Sequence, residues 1–246
     1  MYIRAMSVKF PLFKDCIILE DEHFIFINKP SGISSLDERS GEANSIIKMA
    51  KKYHADAQLC HRIDKETSGL LLIAKHNEAY KEMAVMFEHR KVFKEYHAIV
   101  QGNLQVNEKS ILLPLSISAK GIAKVDMKDG RKAETIVTTI KAMHQYSLIS
   151  CIPVTGRLHQ IRIHLASQHF PLVADTTYGG SYPYLSKLKK NYKTSKWENE
   201  KPILQRVALH AYRLKFEVLG KAYQVEAPYP KDLDVFIKLI EKNQAN

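Results

Sequence analysis

Short segments rich in β-branched and aromatic residues follow one another directly through the middle of the chain. We expect strands at residues 95–100, 110–117, 121–127, 133–140 and 146–152. Parallel strands need long crossover connections, usually helical, whereas antiparallel strands can be joined by short turns. This succession therefore predicts an α+β fold with a mainly antiparallel sheet, and argues against a doubly wound parallel one.

Further elements are expected on both sides of these strands. The segment IILEDEHFIFINKPSGISS, which starts at Ile17, is typical of a strand, an acidic turn, a second strand and a loop. Residues 70–74 form an apolar run of strand length. The remaining predicted elements are helices at 44–53, at 78–89 (capped by Asn77) and at 158–168, a hairpin of strands 212–218 and 222–226 around Leu219-Gly220, and a last helix after Pro230.

The chain carries a strong positive charge. Its 246 residues include 37 Lys and Arg against 26 Asp and Glu, which gives a formal net charge of +11. Such an excess indicates a polyanionic partner, and nucleic acid is the first candidate. An anionic membrane surface and a phosphorylated metabolite remain open on composition alone.

The cysteines and the hydropathy pattern indicate the compartment. Cys16, Cys60 and Cys151 are far apart and form no CxxC motif, so neither a disulfide framework nor a zinc site is indicated. No apolar stretch reaches the length of a signal peptide core or a membrane span. We therefore expect a cytoplasmic protein with no membrane partner.

A polar head precedes the apolar strand in HRIDKETSGLLLIAK, residues 61–75. Asp64 would lie on a loop attached to a rigid element, a common placement for catalytic groups. A turn aspartate that accepts backbone N–H bonds has the same local sequence, and Arg62 could be an ordinary surface charge. The residues alone favour these structural interpretations.

Two other segments carry candidate side chains. In VTGRLHQIRIHLA, residues 154–166, a helix would bury Leu158, Ile161 and Leu165 and place His159 beside Arg162, with Thr155 as a candidate cap. In FKEYHAIVQG, residues 93–102, alternation places Tyr96 on the same strand face as Ala98 and Val100. On the residues alone, solvated side chains on an amphipathic helix and a tyrosine packed in the core are the favoured interpretations of these patterns.

The order of the motifs decides between these interpretations. HRIDKETSGLLLIAK closely resembles the signature of RluA-family RNA pseudouridine synthases, written HRLD followed by TSG and an apolar run. Over roughly residues 17–240 the neighbouring motifs stand in the family's order. They are INKPSGI before the signature and KEYHAIVQG, GRLHQIRIHLA, ADTTYGG, VALHAYRLKF and VEAPYP after it. Ile63, Leu158 and Ala174 depart from the residues usual in the family, and none of these departures removes a polar group of the chemistry.

The resemblance implies the pseudouridine synthase catalytic fold with a central RNA-binding cleft, no cofactor and no metal. It makes Asp64 the catalytic carboxylate, Arg162 its basic partner through a bidentate guanidinium, and Tyr96 the residue that stacks on the base. RNA contacts are expected from the remaining polar residues of the same motifs, which are His61, Arg62, Arg157, His159 and Gln160. Arg62 would fill the gap left when the target uridine leaves its stack.

The resemblance also sets expectations for domains and partners. We expect a single catalytic domain over residues 1–246, with an N-terminal extension at 1–16 and no S4-type RNA-binding domain. The expected partner is a structured RNA, a stem-loop of ribosomal or transfer RNA, bound by a monomer. The Lys-rich stretch 187–201 would supply an accessory contact or serve only solubility.

Two other functions are weighed against this one. An RNA-binding protein without catalysis would have the same charge, although it would have no use for Asp64, Tyr96 and Arg162 together. A metal-dependent hydrolase would need His159 and His164 as ligands, but an i,i+5 spacing points them to different sides of a helix.

Overall fold

A computed structural model describes residues 11–37, 44–119, 121–189, 192 and 200–243. The helices are α1 (Ile46–Tyr53), α2 (Asn77–Glu88), α3 (Gln160–Ser167), α4 (Leu185–Leu188) and α5 (Lys231–Lys242). The strands are β1 (Ile17–Glu20), β2 (Phe24–Lys29), β3 (Gln58–Leu59), β4 (Ser68–Ala74), β5 (Phe93–Gln101), β6 (Lys109–Leu112), β7 (Leu115–Ile117), β8 (Ala123–Val125), β9 (Glu134–Ala142), β10 (Tyr146–Pro153), β11 (Leu209–Val218) and β12 (Lys221–Glu226). Short 3-10 helices cover Phe13–Cys16 and Thr176–Tyr178.

One large sheet organises the molecule. Its strand order is β1-β2-β4-β11-β5-β10-β9-β6, with β12 paired to β11 and β3 to β4, while β7 and β8 form a separate hairpin. Among the described strands, β4 and β11 form the one parallel pair, and all other pairings are antiparallel. The predicted α+β class with a mainly antiparallel sheet is confirmed.

The parallel pair joins the two halves of the sheet at a glycine. Ala211 of β11 lies opposite Gly69 of β4. Gly69 has a φ of 109°, and a Cβ added there would lie 2.2 Å from the carbonyl oxygen of Ala211. The glycine of the TSG motif is therefore required by the close approach of these two strands, directly beyond the loop that carries Asp64.

Apolar side chains cover both faces of the sheet. Strand β4 is buried along its whole length, which explains its uninterrupted apolar sequence. Phe13 and Cys16, from the predicted N-terminal extension, are also buried in the core around β2 and β4, and residues 1–10 of that extension lie outside the described residues. Tyr96 packs against this cluster and, as predicted, against the neighbouring one that contains Ala98 and Val100.

Several predicted boundaries were wrong. The predicted strand 110–117 is divided into β6 and β7 around Pro114, which has no N–H to donate to a sheet ladder. His76, not Asn77, is the N-cap of α2, since its side chain accepts from the N–H of Ala79. The predicted helix 158–168 begins only at Gln160 because His159 has a φ of 51°, outside the right-handed helical region.

No helix within the described ranges is long and apolar enough to cross a membrane.

Candidate active site

A cleft of about 830 Å³ opens beside strands β5 and β10 and the start of α3. All of the predicted site residues line it, although they come from three separate motifs. These residues are His61, Arg62, Asp64, Tyr96, Arg157, His159, Gln160 and Arg162. The fold therefore brings the predicted set together in space.

Hydrogen bonds hold the loop that carries Asp64 from both sides. The Ser35 hydroxyl donates to the carbonyl of Ile63 at 2.8 Å, and the N–H of Ile63 donates back to the same hydroxyl at 3.3 Å. The N–H of Thr67 donates to the carbonyl of Asp64 at 3.1 Å. The backbone is thus fixed on each side of the carboxylate, whose side chain keeps 25% of its surface exposed.

A buried lysine lies beneath this loop. Lys29 is 0% exposed, and its Nζ donates to the carbonyls of Pro30, Ile33 and Lys65 at 2.9, 2.8 and 3.1 Å. Burial lowers the pKa of Lys29 to about 7, and the negative charges of Asp64 and Glu66 oppose that shift. Lys29 therefore ties the KPSG loop to the residue that follows Asp64.

Arg162 is bound by a carboxylate other than the predicted one. Its Nε and Nη2 each donate to an oxygen of Asp175 at 2.7 Å, while its Nη1 lies 3.9 Å from Oδ2 of Asp64. The prediction of a bidentate pair between Arg162 and Asp64 was wrong, because Asp175 forms the bidentate pair and Asp64 lies beyond hydrogen-bond length of Nη1. Arg162 still presents its positive charge to Asp64.

His159 approaches Asp64 from another direction. Its Nε2 lies 3.9 Å from Oδ2 of Asp64, and its Nδ1 lies 2.9 Å from the hydroxyl of Tyr178. This hydroxyl donates to the carbonyl of Ala123 at 3.2 Å, so it accepts a hydrogen from Nδ1. Burial lowers the pKa of His159 against the opposing charge of Asp64. A neutral ring in this tautomer has no Nε2 hydrogen to give to Asp64.

Tyr96 lines the cleft and packs against apolar side chains of two neighbouring clusters. Burial, and then the charge of Asp64, raises the pKa of its phenol well above the ordinary value. The hydroxyl therefore keeps its proton at neutral pH and is a poor base. The ring is suited to stack on a base.

Gln160 does not fit the RNA contact predicted for it. The amide of Gln160 donates to the carbonyl of Glu134 and the hydroxyl of Thr135, and it accepts from the Thr155 hydroxyl and the N–H of Arg157. These bonds use its full capacity, and they show that Thr155 supports Gln160 and is not the helix cap.

His61 has a comparable structural contact. Its Nε2 accepts from the N–H of Leu72 at 3.1 Å, and burial, followed by the charge of Lys94, lowers its pKa to about 3. His61 is therefore neutral near pH 7 and anchors the loop to β4. It contributes no positive charge to an RNA contact.

The cleft contains two cations besides the predicted site residues. Arg90 and Lys94 line it together with the predicted Arg62 and Arg157. Burial, and then the charge of Arg90, lowers the pKa of Lys94. The segment RKVFKEYH, which starts at Arg90, places these charges just before Tyr96, a signal that could have identified them.

His164 points away from the site. Its Nδ1 lies 2.9 Å from the Thr135 hydroxyl and its Nε2 lies 3.0 Å from the carbonyl of Leu113, while His159 faces Asp64 and Tyr178. The two imidazoles therefore do not converge on one metal position. Within the described ranges, no cluster of three or more His, Cys, Asp or Glu side chains could hold a metal ion.

Comparison with known proteins identifies the family. A family model described as RNA pseudouridylate synthase matches residues 23–167. Ribosomal large subunit pseudouridine synthase D of Zymomonas mobilis is 31% identical over 245 residues, which cover 94% of this chain and 74% of that protein. Dual-specificity RNA pseudouridine synthase RluA of Vibrio parahaemolyticus is 31% identical over 208 residues, 81% of this chain and 76% of that protein.

Solved structures show the same fold. Human RNA pseudouridylate synthase domain containing 4 matches with a TM-score of 0.71 and 21% identity over 93% of this chain and 94% of that one. Its low identity supports the fold alone, whereas the family match and the relatives define the chemistry. The chain belongs to the RluA family of RNA pseudouridine synthases, which are isomerases acting on RNA.

Proposed function

We propose that this enzyme isomerises specific uridines in a stem-loop of ribosomal or transfer RNA, with Asp64 as the essential carboxylate. The observation that carries the proposal is the position of Asp64, a partly exposed carboxylate in a cleft lined by arginines, a lysine and a tyrosine. One relative is named a ribosomal large subunit pseudouridine synthase and another a dual-specificity RNA pseudouridine synthase, and these names support this substrate class.

The geometry suits a base that leaves its stack. A flipped uridine would lie against the ring of Tyr96, with its sugar toward Asp64. The carboxylate would then attack the anomeric carbon, attack the uracil ring, or assist departure of the base before carbon five rejoins the sugar. In each route the guanidinium of Arg162, 3.9 Å from Asp64, offsets negative charge near the reacting atoms.

Phosphates would follow the basic wall of the cleft. Arg62, Arg90, Lys94 and Arg157 lie along it, and a phosphate nearby would offset the mutual repulsion between Arg90 and Lys94. Arg62 remains the candidate for the gap that the flipped base leaves. Of the Lys-rich stretch, Lys187 and Lys189 are described, whereas Lys190, Lys193 and Lys196 lie outside the described residues, so its accessory role stays a prediction.

Neutralising this wall should weaken RNA binding and its dependence on salt. In Arg90→Gln and Lys94→Gln, we expect the slope of log affinity against log salt to fall by about 0.7–0.9 for each phosphate that the variant no longer neutralises. Binding of a stem-loop is measured between about 50 and 200 mM salt. Lys231→Gln is the matched control, because Lys231 is an exposed residue of α5 that does not line the cleft. Equal slopes in the three variants and the unchanged protein would contradict a phosphate track along this wall.

The substrate class is tested by conversion of defined RNAs. Pseudouridine is mapped in ribosomal and transfer RNA from a strain lacking the gene, and the purified protein is then added to each RNA. We expect at least one missing pseudouridine, restored by the protein on an isolated stem-loop. Restoration only on fully assembled ribosomal particles, or none on either RNA, would overturn the stem-loop assignment. A monomeric state and a cytoplasmic location stay predictions.

A further inference from the structure

Arg162 is held by a carboxylate that no sequence motif connected with it. The side chain of Asp175 is 0% exposed and takes hydrogen bonds of 2.7 Å from both Nε and Nη2 of Arg162. Tyr178, three residues later, lies against the guanidinium with its ring centroid 5.1 Å from Cζ. The turn from Asp175 to Tyr178 therefore contacts Arg162 twice, through a bidentate hydrogen bond along one edge and through an aromatic ring.

These contacts fix the position of the Arg162 guanidinium relative to Asp64. A guanidinium forms a bidentate pair either through Nε and one terminal nitrogen or through both terminal nitrogens. Asp175 takes the Nε and Nη2 edge, and Nη1 lies 3.9 Å from Asp64, which is beyond hydrogen-bond length. Nε2 of His159 lies at the same distance and, in a neutral ring of the tautomer described above, has no hydrogen to donate to Asp64. The oxygens of Asp64 therefore face one cationic and one neutral neighbour without a hydrogen bond from either.

The turn that holds Asp175 is itself tightly constrained. The N–H groups of Tyr178 and Gly180 both donate to the carbonyl of Asp175, at 3.1 and 2.8 Å. A Cβ added to Gly180 would lie 1.9 Å from the carbonyl oxygen of Leu172, so the turn admits only glycine there. The position of the Asp175 carboxylate is thus set by backbone contacts that are independent of Asp64.

We propose that Asp175 is a positioning residue for the isomerisation, acting through Arg162. By binding the Nε and Nη2 edge of the guanidinium, Asp175 keeps Arg162 close enough to offset the charge of Asp64 and holds it beyond hydrogen-bond length of that carboxylate. The oxygens of Asp64 stay open to the sugar or base. This inference rests on the proposed role of Asp64.

The test compares two arginine–aspartate pairs in one protein, in which the Asp175 side chain is fully buried and the Asp232 side chain is 44% exposed. Asp175→Asn keeps the size of the side chain and removes its charge, and it frees donors of Arg162 to turn toward Asp64. Asp232→Asn is the control for the geometry of the pair, because Asp232 binds Arg206 through the same two nitrogens, with bonds of 2.7 and 3.0 Å, and neither residue lines the cleft. Melting temperature, stem-loop affinity and single-turnover rate are measured on the same preparations.

We expect Asp175→Asn to slow single-turnover conversion about 10- to 100-fold, the range caused by small displacements of reacting groups. Stem-loop affinity should stay within about twofold of the unchanged protein, because the Asp175 side chain is buried and does not line the cleft. Asp232→Asn should lower the melting temperature and leave the conversion rate of folded molecules unchanged. A normal rate in folded Asp175→Asn, or an equal loss in Asp232→Asn, would overturn the proposal.

A double-mutant cycle separates positioning from a structural role. If Asp175 acts through Arg162, adding Asp175→Asn to Arg162→Lys should slow conversion little further, since the ammonium of lysine has no fork to restrain. If the double variant is slowed by the product of the two single-variant factors, the proposal is overturned. If Asp175→Asn is unfolded at the assay temperature, Asp175→Glu is used, which keeps the charge and shifts the carboxylate by one methylene. Its folded form should also be slow, and a normal rate would count as failure.

The proposed function and this inference can fail separately. An inactive Asp64→Ala together with a fully active Asp175→Asn would overturn only the positioning role. An active Asp64→Ala would overturn the role of Asp64 and the inference with it.

Discussion

The Asp64→Ala protein should bind its RNA stem-loop normally and form essentially no pseudouridine. We expect the single-turnover rate to fall on the order of a thousandfold or more, because no neighbouring group can replace the carboxylate as a nucleophile or as a partner for a developing cationic sugar. Tyr96 holds its proton, and Arg162 is a cation bound to Asp175. Affinity should hardly change, since Asp64 is one of 26 acidic residues in a chain of net charge +11.

The competing interpretation of Asp64 as a turn-stabilising aspartate makes the opposite prediction, and the chain offers a genuine example for comparison. Asp21 accepts from the N–H groups of His23 and Phe24 and from Lys221 and Tyr223. Asp21→Ala should therefore lower the melting temperature and leave the rate of folded molecules unchanged. Asp64→Ala should keep its melting temperature and lose its conversion rate. The Asp64 side chain lies 3.9 Å from both Arg162 and His159, beyond hydrogen-bond length, so its removal breaks no hydrogen bond to either. Normal conversion by folded Asp64→Ala would contradict the catalytic role.

The resemblance predicted which residues meet in the cleft, but not how each is bonded. Asp64, Tyr96 and Arg162 come from separate motifs and line one cleft, as predicted. The identity of a residue in a motif does not show whether its side-chain amide is free or already fully hydrogen-bonded. The RNA contact predicted for Gln160 was wrong for this reason. The same limitation applies to Asp175, since its contact with Arg162 depends on a turn held by backbone bonds and a glycine.

The fold shows the same division between local and distant information. Alternation and turn residues predicted most strands, because these signals act over a few residues. The parallel pairing of β4 with β11 joins Ser68 to His210, and no local pattern reports a contact between such distant positions. The break at Pro114 was a local signal that the prediction overlooked, since proline cannot donate within a ladder.

Lys29→Met should strongly destabilise the protein. Methionine fills nearly the same volume but has no hydrogen to give the carbonyls of Pro30, Ile33 and Lys65, which would stay buried around it. A buried polar group without a partner costs about 1–3 kcal/mol, and the Lys65 carbonyl keeps a bond from the N–H of Gly32, so the other two carbonyls imply a loss of roughly 2 kcal/mol or more. For a protein of this size the melting temperature should fall by roughly 4–8 °C.

One physical effect opposes this loss. Removing a buried charge recovers its desolvation cost, and some buried ion pairs can be replaced by apolar groups without penalty. Such replacements remove both partners, whereas Lys29→Met leaves the three carbonyls in place. The carbonyl of Lys65 retains a bond from the N–H of Gly32, at 2.8 Å, so the other two should account for most of the loss.

Lys75→Met is the matched control for this experiment, because it makes the same change on the same sheet. Nζ of Lys75 donates to Glu20 and to the carbonyl of Asp21, both at 2.8 Å, but its side chain is 19% exposed, so water can replace those bonds. We expect it to cost about 1 kcal/mol or less. Folded Lys29→Met should also convert RNA more slowly than folded Lys75→Met, since the loop after Asp64 has lost its anchor. Equal melting temperatures for the two variants would show that the carbonyls around Lys29 do not depend on its ammonium.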